Sequence, residues 1–215
     1  MSNEQELRAA LLDVSRRMVE LGLNRGTAGN ASVRCGECLL ITPSALPVSE
    51  MTAASMVRMS LQGEVLQGGK PSSEWRFHCD ILKNRTEIGA VLHSHSPFAT
   101  TLACLRREVP AVHYMIALAG GDSIRCTPYS IFGEQQLSDD ALEALQGRKA
   151  CLLGNHGMTA LGSDLDDALA VAQEVEFLCE IYWRTLSVGE PKLLNAQQMH
   201  EVKLKFVEYK KRDTR

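Results

Sequence analysis

The chain has 215 residues, of which 45% are hydrophobic and 23% are charged. That length suits one domain with a sizeable core, and that balance is typical of soluble globular proteins. The formal net charge is −3 and no basic block stands out before Lys210-Lys211-Arg212, which argues against a nucleic-acid-binding protein. No apolar run approaches the roughly 20 residues of a membrane helix, which argues against a membrane protein.

The N-terminus and the cysteines together indicate a cytoplasmic protein. Residues 1–6 are polar and acidic and do not resemble a signal peptide. The seven cysteines are odd in number and scattered, which predicts free thiols in a reducing compartment. Cys35 and Cys38 form one Cys-x-x-Cys pair, which is more typical of two hairpin cysteines than of a metal knuckle or a redox motif.

The first half of the chain predicts one helix and three strands. Apolar residues recur at near-helical spacing over residues 4–22, and Gly22 ends that helix. The turn-rich loop Gly26-Thr27-Ala28-Gly29-Asn30 follows. Residues 31–35 and 39–42 predict a hairpin, and residues 56–60 predict another short strand.

The second half alternates further helices and strands. Pro71-Ser72-Ser73-Glu74 predicts a helix start, with a serine cap and an acidic residue in the first turn. Residues 88–95 predict a buried strand, and Pro97 begins the next helix. The remaining predicted elements are strands at 124–127 and 150–153 and helices at 164–187 and 197–210. The fold class predicted is α/β, a mainly antiparallel sheet flanked by helices in a single domain.

Three histidines at the predicted strand ends form the candidate metal site. Side chains at i and i+2 of a strand share one face, so His93 and His95 can bind one ion. Each histidine alone is more often structural than a ligand. His156 follows an apolar strand and lies between Gly154 and Gly157, which allow close backbone approach. Three histidines are a ligand set of catalytic zinc, which keeps one coordination position open.

Glu74 and several small polar residues have two interpretations each. An acid at a helix start is usually a capping residue, but beside a metal it can act as a general acid/base. Five small donors lie in three turn segments and would form a phosphate cradle if those loops converge. Each is otherwise an ordinary turn or cap residue. These donors are Thr27, Asn30, Ser44, Ser72 and Ser73.

Five ordered motifs resemble the class II aldolase/adducin family, and the resemblance spans nearly the whole chain. The motifs are Gly26-Thr27-Ala28-Gly29-Asn30, Ile41-Thr42-Pro43, Lys70-Pro71-Ser72-Ser73-Glu74, His93-Ser94-His95 and Asn155-His156-Gly157. Two later segments continue it, Val112-His113-Tyr114-Met115-Ile116 and Pro128-Tyr129-Ser130-Ile131-Phe132-Gly133.

The resemblance implies a role for each matching residue. His93, His95 and His156 would bind one zinc ion per subunit, with Glu74 as metal neighbour and acid/base. The phosphate would be held by Thr27, Asn30, Ser44, Ser72 and Ser73, with Ala45 where the backbone approaches it. Beyond these, the resemblance assigns Phe132 to the aldehyde pocket, Tyr114 to a neighbouring subunit's site, and Tyr209 to a mobile C-terminal tail of residues 206–215. Family members are commonly homotetramers with sites between subunits.

The activity implied is reversible cleavage of a ketose 1-phosphate, by default L-fuculose 1-phosphate, into dihydroxyacetone phosphate and an aldehyde such as L-lactaldehyde. One alternative is a pentulose 5-phosphate 4-epimerase of the same family, but those enzymes carry aspartate where this chain has Glu74. Another is a non-catalytic adducin-like binding module, but those domains have lost the metal histidines. Two departures stand out, because Ser44-Ala45 replaces Thr-Gly, and Asn155 replaces a histidine found in an aldolase of the family.

Overall fold

The computed structural model describes residues 4–213. An eight-stranded sheet with the order β4-β3-β2-β1-β5-β8-β7-β6 forms its centre. Neighbouring strands are antiparallel except β6 and β7, which are parallel. The strands are β1 Asn30–Cys35, β2 Cys38–Ile41, β3 Val57–Ser60, β4 Val65–Gln67, β5 Ala90–Ser94, β6 Arg125–Cys126, β7 Ala150–Leu153 and β8 Gly157–Gly162. This architecture confirms the predicted α/β class and its mainly antiparallel sheet.

Helices cover both faces of the sheet. The helices are α1 Glu4–Glu20, α2 Trp75–Asn84, α3 Pro97–Cys104, α4 Gln135–Ala144, α5 Leu165–Val188 and α6 Ala196–Asp213. Strand side chains alternate between two apolar clusters, so Leu92 of β5 packs with α1, α3 and α5 while Val91 packs with α2 and α4. Burial on both faces explains why β5 is a continuous apolar run ending in polar residues.

The sequence did not predict β4, α4 or β8. All three residues of β4 are exposed at the sheet edge, so no alternation of apolar and polar residues marks that strand. By contrast, β8 is buried along its whole length and begins and ends in glycine, a pattern that is also typical of turns. Every predicted element is present, with ends shifted by a few residues.

Most of the predicted C-terminal tail is helical, and the cysteines are free. Residues 206–213, which fall in the predicted mobile tail, lie within α6, whereas 214–215 are outside the described residues. All seven cysteines lie within the described range and are free, and Cys35 faces Cys38 across the β1–β2 hairpin. Within residues 4–213, no helix combines the length and the apolar character needed to cross a membrane.

Candidate active site

The pairing of β5 with β8 brings the three candidate ligands together. His93 lies in β5, His95 follows the end of β5, and His156 lies in the turn between β7 and β8. One ring nitrogen of each histidine lies within 4.8 Å of the other two. The Nε2 atoms of His93 and His95 are 2.9 Å apart. This cluster is able to hold a metal ion.

Two backbone features allow His156 to approach β5. A Cβ at Gly157 would lie 2.3 Å from the carbonyl oxygen of Ser94, so only glycine lets the two strands meet there. Asn155 has a φ of 54°, in the left-handed region that asparagine tolerates better than most residues. The turn before the third histidine therefore depends on residue types as well as on strand pairing.

The hydrogen bonding of His93 fixes which nitrogen faces the cluster. Its Nδ1 lies 2.9 Å from the carbonyl oxygen of Met158 and must donate, because a carbonyl accepts. Burial lowers the pKa of His93 to about 4, although Glu74 opposes that shift, so the ring is neutral near pH 7. Its Nε2 lone pair consequently points at the Glu74 carboxylate, 3.2 Å away. A lone pair facing a carboxylate fits a cation between them, and metal-bound histidines commonly donate their second nitrogen in this way.

Glu74 is not a capping side chain, so the capping interpretation is wrong. It occupies the position before α2, but its side chain makes no capping hydrogen bond, and Ser72 Oγ accepts its backbone N–H at 3.3 Å. The carboxylate turns toward the histidines instead. Its Oε1 lies 3.1 Å from Nε2 of His156, and its Oε2 accepts from Nδ2 of Asn30 at 2.8 Å.

Glu74 is ionised although it is buried. Only 6% of its surface is exposed, and this burial acts to raise the pKa of the carboxyl. The neighbouring His93 and His156 and the hydrogen bond from Asn30 outweigh burial and hold that pKa well below its usual range. The site therefore holds a negative charge beside three histidine rings.

A cleft of about 340 Å³ opens above this cluster. Its walls include ten of the residues singled out in the sequence: Thr27, Asn30, Ser44, Ala45, Ser72, Ser73, Glu74, His95, Phe132 and His156. His93 is fully buried and contacts the cleft residues His95 and Glu74. The three turn segments that carry small donors thus converge on one space, as a phosphate cradle requires.

Ala45 is a strained substitute for the glycine that the family resemblance implies. Its φ is 58°, in the left-handed region where a Cβ costs roughly 1–2 kcal/mol. The backbone keeps a conformation that suits glycine although the residue is alanine. Where Ala45 lines the cleft, the backbone therefore forms the same kind of turn that a glycine would form.

Tyr114 and Tyr209 do not reach this cleft within one chain. They line a separate groove of about 850 Å³, formed by α6 and the short 3₁₀ helix Tyr114–Ala119. Tyr114 stacks near Phe206 there, with ring centroids 6.2 Å apart. Contributions of both tyrosines to catalysis remain predictions.

The structure adds residues that the sequence did not assign to the site. Tyr129, Ser130 and Asn155 line the cleft, and His78 hydrogen bonds to Asn30 behind it. Asn155 immediately precedes His156. His78 lies one helical turn after Glu74, a spacing that puts both on the same side of α2.

The comparisons with known proteins agree with this geometry. A family model described as "Class II Aldolase and Adducin N-terminal domain" matches residues 9–183. A Rhodospirillum rubrum protein named 5-methylthioribulose-1-phosphate/5-deoxyribulose-1-phosphate aldolase is 52% identical over 203 residues, covering 94% of this chain and 92% of the relative. An Escherichia coli K12 protein named L-fuculose phosphate aldolase is 42% identical over 205 residues, covering 95% of each.

A solved structure described as L-fuculose 1-phosphate aldolase superposes on this one with a TM-score of 0.91 at 37% identity, covering 94% of this chain and 96% of that one. Similarity therefore extends along nearly the whole sequence and the whole fold. The clustered histidines and the buried carboxylate lie inside the matched region. Family model, sequence and fold agree that this chain belongs to the class II aldolase and adducin family and is one of its aldolases.

Proposed function

We propose that this class II aldolase binds one zinc ion per subunit and cleaves a ketose 1-phosphate into dihydroxyacetone phosphate and an aldehyde. The observation that carries the proposal is the convergence of three histidine nitrogens and the Glu74 carboxylate beside one polar cleft. Nitrogen ligands without cysteine are typical of catalytic zinc sites, whereas structural zinc sites usually hold four ligands rich in cysteine.

The chain's own residues supply positioning and proton transfer. Zinc held by the three histidines would supply a Lewis acid for the negative charge that develops on the ketone fragment. Glu74 is ionised and borders the same cleft, so it can take a proton from the fragment's carbon and return it. Thr27, Ser44 and Ser73 border the cleft, and their hydroxyls would hold the phosphate.

For the aldehyde half, we propose a 5-deoxypentulose 1-phosphate or its 5-methylthio analogue rather than L-fuculose 1-phosphate. Fuculose 1-phosphate carries one more hydroxyl on that half, and a selective site would have to hydrogen bond it. Asn155 already uses its amide, because Oδ1 accepts from Arg106 Nε at 2.8 Å and Nδ2 donates to the Cys104 carbonyl at 3.4 Å. Nearby Tyr129 and Phe132 offer mostly apolar surface, which suits a methyl or methylthio group.

We also propose that the working enzyme is a homotetramer in which Tyr114 completes a neighbouring subunit's site. Tyr114 and Tyr209 are 49% and 65% exposed in the isolated chain and lie together beside the largely apolar groove on α6. Contact with another subunit would bury that surface.

Metal analysis of the purified protein is the first test. The unmodified protein should hold about one zinc per subunit, and His95→Ala should lose both the metal and the activity. His200→Ala is the matched control, because His200 is exposed on α6 and lies outside the cluster. Full activity in a rigorously metal-free preparation would contradict the zinc proposal.

A substrate panel scored by release of dihydroxyacetone phosphate is the second test. We expect the highest kcat/KM with 5-deoxyribulose 1-phosphate or 5-methylthioribulose 1-phosphate. Faster cleavage of L-fuculose 1-phosphate would overturn the aldehyde assignment and leave the cleavage chemistry intact. Conversion of ribulose 5-phosphate to xylulose 5-phosphate, without cleavage of any ketose 1-phosphate, would contradict the proposal and favour the epimerase alternative.

A further inference from the structure

A fully buried histidine lies behind the candidate site and takes no part in the steps above. His78 is on α2 and is 0% exposed. Its Nδ1 lies 2.7 Å from Ser32 Oγ, and its Nε2 lies 2.5 Å from Asn30 Oδ1. Ser32 is also 0% exposed, so water does not compete for these hydrogen bonds. Asn30 in turn donates to the Glu74 carboxylate through Nδ2.

The chemistry of these groups allows only one direction of hydrogen bonding. Asn30 directs its Nδ2 to Oε2 of Glu74 and its Oδ1 to Nε2 of His78, so its NH₂ group faces the carboxylate and its carbonyl oxygen faces the histidine. That oxygen also only accepts, so Nε2 of His78 must carry the proton. Nδ1 is then an acceptor in the neutral ring, and the Ser32 hydroxyl must donate to it. Burial lowers the pKa of His78 to about 3, which agrees with a neutral ring.

We propose that His78 is a positioning residue for Glu74, which it orients through Asn30. In the Nε2–H tautomer, whose Nδ1 accepts from the Ser32 hydroxyl, His78 donates to the Asn30 carbonyl oxygen and so keeps the NH₂ group of that amide toward the carboxylate. A flipped amide would place its oxygen against the Glu74 carboxylate and its NH₂ against the Nε2–H of His78. Both contacts are repulsive, so the chain of bonds from Ser32 to Glu74 excludes the flip.

Two consequences follow for the reaction. One N–H of Asn30 is committed to Glu74, and because Asn30 lines the cleft its second N–H is available to a substrate oxygen. The Glu74 carboxylate also keeps one orientation while it exchanges a proton, since its Oε2 has a fixed donor. The effect on turnover rests on the proposed function of Glu74, whereas the tautomer of His78 does not.

The tautomer can be read directly by NMR. In protein labelled with ¹⁵N-histidine, long-range proton–nitrogen correlations distinguish Nε2–H from Nδ1–H. We expect the His78 signals, assigned by their loss in His78→Gln, to report the Nε2–H tautomer near pH 7. An Nδ1–H tautomer would overturn the proposal, because Asn30 would then have to turn its NH₂ group away from Glu74. This measurement needs neither metal nor substrate.

Kinetics then test the positioning role. His78→Phe fills similar space but removes both hydrogen bonds, and we expect kcat to fall by roughly 10- to 100-fold, the usual effect of losing an outer partner of a metal site. KM and zinc content should change little. His78→Gln can still donate to Asn30 and should recover most of the turnover. A folded His78→Phe variant with unchanged kcat, or a glutamine variant as slow as the phenylalanine one, would overturn the proposal.

Ser32→Ala keeps the proposal testable if His78→Phe does not fold. It removes only the far end of the chain of bonds, so we expect a several-fold loss of kcat at constant KM. Ser138→Ala is its matched control, because Ser138 is another fully buried serine with a hydrogen bond. Ser138 lies on α4 and donates to Asp80 on α2, and it takes no part in the bonds between Ser32 and Glu74. Equal turnover in the two serine variants would overturn the positioning role. If the unmodified protein showed no aldolase activity, the proposed function would fail and the NMR result would still decide the tautomer.

Discussion

Replacing Glu74 by glutamine separates the chemistry of the carboxylate from its contribution to the fold. Glutamine has nearly the same size and can still accept the hydrogen bond from Asn30 that the carboxylate now accepts at 2.8 Å. It cannot take up and return a proton. The change is confined to charge and proton exchange at a side chain that is 6% exposed.

The structure sets the expected magnitudes. Because the Glu74 side chain does not cap α2, the substitution removes no capping bond, and only one charge-assisted hydrogen bond becomes neutral. We expect the free energy of unfolding to change by about 1 kcal/mol. Loss of a general acid/base lowers kcat by roughly 10²- to 10⁴-fold. That corresponds to about 3–5 kcal/mol of activation free energy, several times the stability effect.

Proton exchange gives the sharpest assay. With dihydroxyacetone phosphate alone in heavy water, the unmodified enzyme should incorporate deuterium stereospecifically, and Glu74→Gln should do so far more slowly while still binding zinc. Asp164→Ala is the control for a true cap, because Asp164 accepts the Asp167 N–H at 2.8 Å at the start of α5. It should lose about 0.5–2 kcal/mol of stability with unchanged exchange. Equal exchange rates in the unmodified and Glu74→Gln enzymes would refute the role of Glu74.

Three further predictions concern the cleft and the buried histidine. Ser73→Ala should raise KM for the phosphorylated ketose about 10-fold or more at constant zinc content, since a hydrogen bond to a charged group contributes roughly 1.5–3 kcal/mol; equal KM values would exclude a phosphate contact. Ala45→Gly should raise the free energy of unfolding by up to about 1 kcal/mol, because relief of a left-handed alanine outweighs the added chain entropy of glycine; denaturant titration that shows destabilisation would contradict this. His78 should stay neutral in the fold down to about pH 3 but protonate near pH 6.5 when unfolded. The unfolded state therefore binds more protons between those values, and the free energy of unfolding falls as the pH is lowered. Between pH 6 and pH 4, the metal-free protein should lose up to about 1.4 kcal/mol of stability per pH unit more than the His78→Gln variant loses. Parallel curves of stability against pH for the two proteins would contradict a buried neutral ring.

The sequence predicted elements wherever a local pattern has a single structural meaning. Helical spacing located α1, and the apolar run that precedes His93 located β5. The histidines could be grouped in advance because two share a strand end and the third follows another strand. Ordered motifs along the chain identified the family, which the matches in sequence and fold confirm.

Elements whose patterns are ambiguous required the structure. An exposed edge strand such as β4 lacks an apolar face, and a fully buried strand bounded by glycines, such as β8, resembles a turn region. The local rule for helix starts also failed at Glu74. Capping preference describes an isolated helix end, whereas here strands β1 and β5 and the β7–β8 turn present Asn30, His93 and His156 to the same carboxylate.

The sequence by itself determined the fold class, the family and the identities of the candidate metal ligands. Only the tertiary structure decided that three loops share one cleft, that Tyr114 and Tyr209 lie outside it, and that His78 hydrogen bonds to Asn30. The physical reason is distance along the chain. Ser32 and His78 are 46 positions apart, and no local spacing reports a hydrogen bond that forms only when β1 and α2 pack together.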